Sequence, residues 1–243
     1  MGLLKKIIAT KGSPGASTSN EAKRKTREDI ARQMYEENLF GYRDLVDKEK
    51  YQQALLDKVN AAREQYSKDG DLDSVISVFE EAFITADPPC GSSQWKLLVD
   101  YYLKAGLNDK AWSYLQKMSL DNAKELKENS SDEYALKRYF GTEEKISLQK
   151  ARVLKKEKRF EYAIEFYLVA HVMRIGFGNS FDKGRFFKDI DSCANRLKWD
   201  DAKKEHLAYI VQQSARQKLY LNQSQIRSAY RAFLEDIRKE NVE

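Results

Sequence analysis

The chain has 243 residues, enough for one large or two small domains, and 43 Lys and Arg stand against 38 Asp and Glu for a net charge of +5. Residues 1–28 hold seven basic and two acidic side chains, so the excess is confined to a leader and the remaining 36 residues of each sign cancel. A neutral body argues against a duplex-DNA binder, which needs a dense Lys/Arg face. A mean hydropathy of −0.72, with no apolar run near the ~20 residues of a membrane span, argues against an integral membrane protein.

The leader, Met1-Gly-Leu-Leu-Lys-Lys-Ile-Ile, has positive charge but lacks the apolar stretch of a secretory signal, and Lys6 stands where a myristoylation motif wants Ser or Thr. Leu3, Leu4, Ile7 and Ile8 with their lysines suit an anionic membrane surface, although four apolar residues bind only marginally. A solvated, disordered terminus is the reading preferred for them. Residues 9–20 are small and polar and predict a linker, so 1–20 read as a disordered basic leader ahead of a single domain over 21–243. Two cysteines, Cys90 and Cys193, are too few for a disulfide framework and indicate a cytoplasmic protein. Only Pro14, Pro88 and Pro89 interrupt the chain, and hairpin signals are missing, so the body should be all-α.

In chain order, a helix is expected from about Asn20 with Ile30, Met34 and Tyr35 on its apolar side, breaking near Gly41. Tyr51, Leu55, Val59, Ala62 and Tyr66 give the next stripe, ending at Asp69-Gly70. Val75, Ile76, Phe79 and Phe83 continue to Pro88-Pro89. Trp95, Leu98, Val99 and Tyr102 make a helix ended by Gly106, and Ala111, Trp112 and Leu115 start another. A polar stretch, 119–134, prolongs it towards a break at Ser130-Ser131. Ala151 and Leu154, a turn near Lys158, then Ala163, Ile164 and Tyr167 mark two more helices. Phe186, Ile190 and Cys193 are followed by Trp199, Ala202, Leu207 and Ile210, and a capping helix over 224–240 closes the chain.

A period of 36 runs through these hairpins: Gly70 and Gly106, Tyr66 and Tyr102, Val75 and Ala111, Phe79 and Leu115. Two helices per period is a solenoid signature, because one hairpin cannot bury both faces. Residues 92–125 resemble a tetratricopeptide repeat through Trp95, Leu98, Tyr102, Gly106 and Ala111. Residues 144–177 resemble it through Ala151, Leu154, Ala163, Tyr167 and Ala170. Residues 56–89 do so through Tyr66, Gly70, Phe79 and Ala82, and 183–216 through Phe186 and Ala202 only. The resemblance implies a right-handed superhelix and a non-enzymatic adaptor or scaffold that binds a peptide or partner helix in a concave groove lined by first helices. It implies no cofactor.

Periodicity places Asn60, Glu64 and Lys68 in that groove, then Lys96, Asp100 and Lys104, then Arg152, Lys155 and Lys156. The lining runs from mixed to basic and suits an acidic partner; the run 155–159 also reads as a solvated helix end whose cations oppose the C-terminal dipole. Two alternatives stay open, a ligand-controlled regulator and a nucleic-acid-associated protein using the leader and the basic 151–243 half. Asp69, Asp71, Asp73 and Glu80 have EF-hand calcium spacing, but Ser74 stands where that loop needs Gly, and N-capping explains the same acids. His171 and His206 lack metal-ligand spacing and read as packed or surface residues; Cys193 reads as core, and Cys90 as an exposed turn residue.

Overall fold

The computed structural model describes residues 46–129 and 132–240, which are helical and turn throughout with no strand among them. The leader, with Leu3, Leu4, Ile7 and Ile8, the helix expected from Asn20, and Ser130-Ser131 lie outside the described residues. The chain separates into two units, Met1–Lys58 and Val59–Glu243. In the first, residues 46–58 are helical and Leu55 is buried. No helix among the described residues is long and apolar enough to cross a membrane.

The second unit opens with helical residues 59–69 (α1) and continues through α2 (Leu72–Glu80), α3 (Trp95–Lys104) and α4 (Asn108–Glu128). Then follow α5 (Glu133–Lys156), α6 (Phe160–Gly176), α7 (Lys183–Arg196), α8 (Asp201–Arg216) and α9 (Gln223–Glu240). A π-helical turn, Glu81–Thr85, extends α2 towards the proline pair. Each helix packs on the next from α2 onward, and short connections make them hairpins.

The ends of these helices explain the punctuation. Asp71, Asp132, Asp182 and Asp200 cap α2, α5, α7 and α8, each carboxylate accepting from a backbone N–H of the first turn. At the other end a left-handed residue reverses the chain. Gly70 and Gly106, one period apart, have φ of 71° and 75°. After α3 the Leu107 N–H donates to the Tyr102 carbonyl at 2.8 Å, after α5 Arg159 donates to Leu154 at 2.9 Å, and after α7 Trp199 donates to Ala194 at 2.9 Å. This is the same Schellman closure each time, but Lys158 and Lys198 hold the left-handed position in the last two.

The described residues of the stretch 119–134 lengthen α4 to Glu128 and start α5 at Glu133. The α5–α6 hairpin therefore begins at Glu133, well before the expected 144. Its added turns are held by a buried carboxylate. Glu143 accepts from Ser119 Oγ at 3.0 Å, Asn122 Nδ2 at 3.1 Å and Gln223 Nε2 at 3.4 Å, joining α4, α5 and the start of α9. The main core forms around α6, which is buried on every side from Ala163 to Met173 except at Phe166. It packs on α5, α7, α8 and α9. Contact with α9 bypasses the neighbouring hairpin, so this half closes on itself more than an open stack does. Ala151, Ala163 and Ala170 are buried where helices cross, whereas Ala202 is exposed and Trp199 lies before α8 in the connection. Ala202, one of the two matches in 183–216, thus takes no part in the core, whereas Trp199 packs edge-on against Phe233 of α9.

Candidate functional site

The α3, α5 and α7 helices line one concavity. A cleft of about 940 Å³ is walled by α3, α5 and α7 with the start of α6. Its cations are Lys104 from α3, Arg152, Lys155 and Lys156 from α5, Lys158 from the following turn, and Arg196 from α7. Asp100 is the acid in the lining. Leu97, Leu103 and Phe160, all half-buried, supply apolar surface. A second hollow of about 550 Å³ shares Tyr101 with the cleft and carries Asn60, Arg63 and Glu64 from α1.

The local folding that positions these groups is simple. The α3, α5 and α7 helices each end at the cleft and each carries basic residues in its last turn: Lys104, Lys155 with Lys156, and Arg196. Cations there offset the partial negative charge of the helix ends. The cleft nevertheless holds six cationic side chains against one carboxylate. Arg152 Nη1 lies 2.6 Å from Asp100 Oδ1 and donates to Gln149 Oε1 at 2.9 Å. Lys104 Nζ sits over the Tyr66 and Tyr101 rings, at 5.1 and 5.3 Å from their centroids. Lys155, Lys156, Lys158 and Arg196 have no ion-pair partner among the described residues.

Of the residues that periodicity placed in a groove, Asp100, Lys104, Arg152, Lys155 and Lys156 come together around the cleft. Asn60 and Glu64 line the neighbouring hollow, where Asn60 Oδ1 accepts from Gln94 Nε2 at 3.0 Å and Gln94 Oε1 accepts from Arg63 at 3.1 Å. Lys68, exposed, and Lys96, half-buried, line neither. Lys158, Arg196, Leu97 and Phe160 were missed, whereas periodicity also places Leu103 in the lining. Lys158 belongs to a turn and Arg196 to the hairpin whose repeat match is poorest, although a basic last turn was readable in both.

One further expectation, an exposed Cys90, is corrected. Asp69, Asp71, Asp73 and Glu80 do not converge, and no group of three His, Cys, Asp or Glu among the described residues could hold a metal ion. Asp69 Oδ1 accepts the Asp71 N–H at 2.9 Å and Oδ2 the Gln65 amide, which lowers the Asp69 carboxyl below its usual value; Asp71 caps α2. Glu80 is turned to Tyr102 Oη at 2.7 Å and Lys110 Nζ at 2.9 Å. Cys90 is buried, its N–H donating to the Ala82 carbonyl at 2.8 Å, because the chain after the proline pair folds back on the π-turn. Cys193 is also buried, and burial raises its thiol. His171, buried, places Nε2 2.9 Å from Asp189 Oδ2 among Phe181 and Phe186; His206 packs on Phe233.

No family model matches the chain, and neither a curated protein nor a solved structure does.

Proposed function

We propose that the protein is a non-enzymatic adaptor of the tetratricopeptide-like kind, a helical-repeat stack in a reducing, cytoplasmic setting that holds an acidic segment of a partner protein in the α3–α5–α7 cleft. The observation that carries this reading is the convergence of basic last turns from three alternate helices on one concavity with an apolar floor. Side chains on such a floor give a peptide somewhere to bury a residue, while the surrounding cations give charge complementarity and steer encounter. The repeat reading is supported by the matched conformations of Gly70 and Gly106, by packing of α3 on α5 and of α6 on α8, and by the lining of one cleft from α3, α5 and α7.

The test is site-specific crosslinking in cells. A photoreactive residue at Leu103 should capture a partner that the same group at exposed Tyr134 does not. The captured segment, made recombinantly, should be acidic and should lose at least roughly tenfold in affinity for Lys155→Glu/Lys156→Glu by calorimetry. Equal capture at the two positions, or equal affinity for the variant, overturns the reading.

A further inference from the structure

We infer that the anion this cleft selects is a phosphorylated Ser or Thr side chain of the partner segment, seated with an apolar neighbour on Leu97, Leu103 and Phe160. This rests on the reading of the cleft as an acidic-segment site and narrows it to one chemistry.

The geometry of Arg152 is the starting point. Both of its side-chain contacts, to Asp100 and to Gln149, run through Nη1. The other edge of the guanidinium, Nε with Nη2, makes no hydrogen bond among the described residues, and that edge is the one that grips an oxyanion with two parallel hydrogen bonds. A single carboxylate arriving from a partner meets an arginine that already has one, Asp100, so exchanging the two gains little. A phosphoryl group brings a charge of about −1.5 to −2 and three acceptor oxygens. It can take the free edge of Arg152 while Asp100 stays in place, and extend its remaining oxygens to other cations.

Those cations are available. Lys155 and Lys156 follow Arg152 on the last turn of α5, and Lys158 stands in the turn beyond it. Arg196 and Ser192 line the same cleft from α7. None of the four cations carries an ion pair among the described residues, in contrast to Arg174, Arg185, Lys204 and Arg227, which are each tied to a carboxylate. The helix ends offset part of this charge, each about half a unit, which leaves the concavity strongly positive. Clustered donors in one hollow suit a concentrated charge. A nucleic-acid backbone instead asks for a track of cations along a surface. The leucines and the phenylalanine beside the cations suit the neighbouring side chain of a peptide.

The experiment uses the full chain and oriented libraries of phosphoserine and phosphothreonine peptides with randomised flanks. Matched serine/threonine and glutamate libraries, inositol hexakisphosphate and single-stranded RNA serve as comparisons. The phosphopeptides should be retained, with apolar residues enriched beside the phosphorylated position. A selected peptide should bind roughly tenfold or more tightly than its serine and glutamate versions by fluorescence anisotropy. Arg152→Gln should lose that preference and Arg152→Lys most of it, because a lysine keeps the charge but not the fork. Lys124→Gln, on α4 outside the cleft, should bind as wild type, and circular dichroism checks that each variant folds.

Equal binding of glutamate and phosphorylated versions overturns the phosphoryl inference and leaves the acidic-segment reading standing. An unchanged preference in Arg152→Gln overturns the placement of the phosphate on that residue. Retention of no peptide, or of RNA or inositol hexakisphosphate alone, overturns both readings.

Discussion

Arg152 on α5 reaches across the cleft wall to Asp100 on α3, with 2.6 Å between Nη1 and Oδ1. The pair is partly exposed, so its contribution to stability is about 1 kcal/mol or less. Its larger effect is on the cleft's potential, since Asp100 is the acid among the six cations. Asp100→Asn should therefore tighten binding of an acidic segment several-fold at low salt, and the gain should shrink as salt rises to physiological strength. Calorimetric titration at two ionic strengths checks this. Weaker binding by Asp100→Asn would show that the carboxylate orients Arg152 more than it competes for it.

Glu80 gives the acid limb of stability. Burial alone would raise its carboxyl, but the Lys110 ammonium and the Tyr102 hydroxyl outweigh burial and hold it below the usual 4.5. A lowered carboxyl means that the unfolded chain binds the proton first. This contribution is therefore fully present above about pH 4.5 and is lost as pH falls through the lowered value. Glu80→Gln should cost about 1 kcal/mol at pH 7, reduced by solvent screening at this partly exposed site, and should flatten the pH dependence of urea unfolding below pH 5.

How far the sequence carried depended on whether a feature is periodic. The helix ends at Gly70, Gly106 and Lys158, the buried Ala151 and Ala163, and the grouping of Asp100 with Arg152 all follow from spacing along helices, which is local and regular. The closure of α9 onto α6 is not periodic. It depends on α6 being largely apolar and buried on every side, so that it demands neighbours beyond its own hairpin. Glu143 was invisible for the opposite reason. An acid beside Glu144 and Lys145 reads as exposed, and only the lengthened α4 and α5 bring Ser119 and Asn122 to it. Cys90 looked exposed because its flanking prolines and glycine signal a turn, and a turn that folds back under the π-helical segment carries no local mark.

Alkaline stability should be governed by tyrosines. Burial pushes the Tyr102, Tyr114 and Tyr230 phenols well above their usual 10 and the Tyr167 phenol up to about 12. Each stays protonated in the fold while the unfolded chain releases its proton. Their contribution is thus full below about pH 10 and is lost as pH rises through the raised values. Tyr230 Oη donates to the Glu161 carbonyl at 2.9 Å, so Tyr230→Phe should cost about 1 kcal/mol at pH 7. The same variant should lose stability less steeply above pH 10, and the two profiles should converge there. Parallel profiles in denaturant melts from pH 7 to 11 would exclude Tyr230 as a source of the alkaline limb.

The left-handed turns offer a stability test that leaves the cleft untouched. Lys198, exposed and outside the cleft lining, has φ of 58°, and its Cβ crowds the following carbonyl at a cost of about 1 kcal/mol. Lys198→Gly removes that strain but adds freedom to the unfolded chain, worth about 0.5 kcal/mol. A net gain of about 0.5 kcal/mol, or roughly 1–2 °C in Tm, is expected. Gly106→Ala runs the same change in reverse after α3. No atom lies within 4 Å of the added Cβ, so its expected loss of about 1 kcal/mol comes from the backbone at φ 75° and not from a clash. Opposite signs for the two variants in thermal unfolding would make backbone handedness the common cause. A loss in both would mean that the Lys198 side chain stabilises its turn by more than the strain it carries.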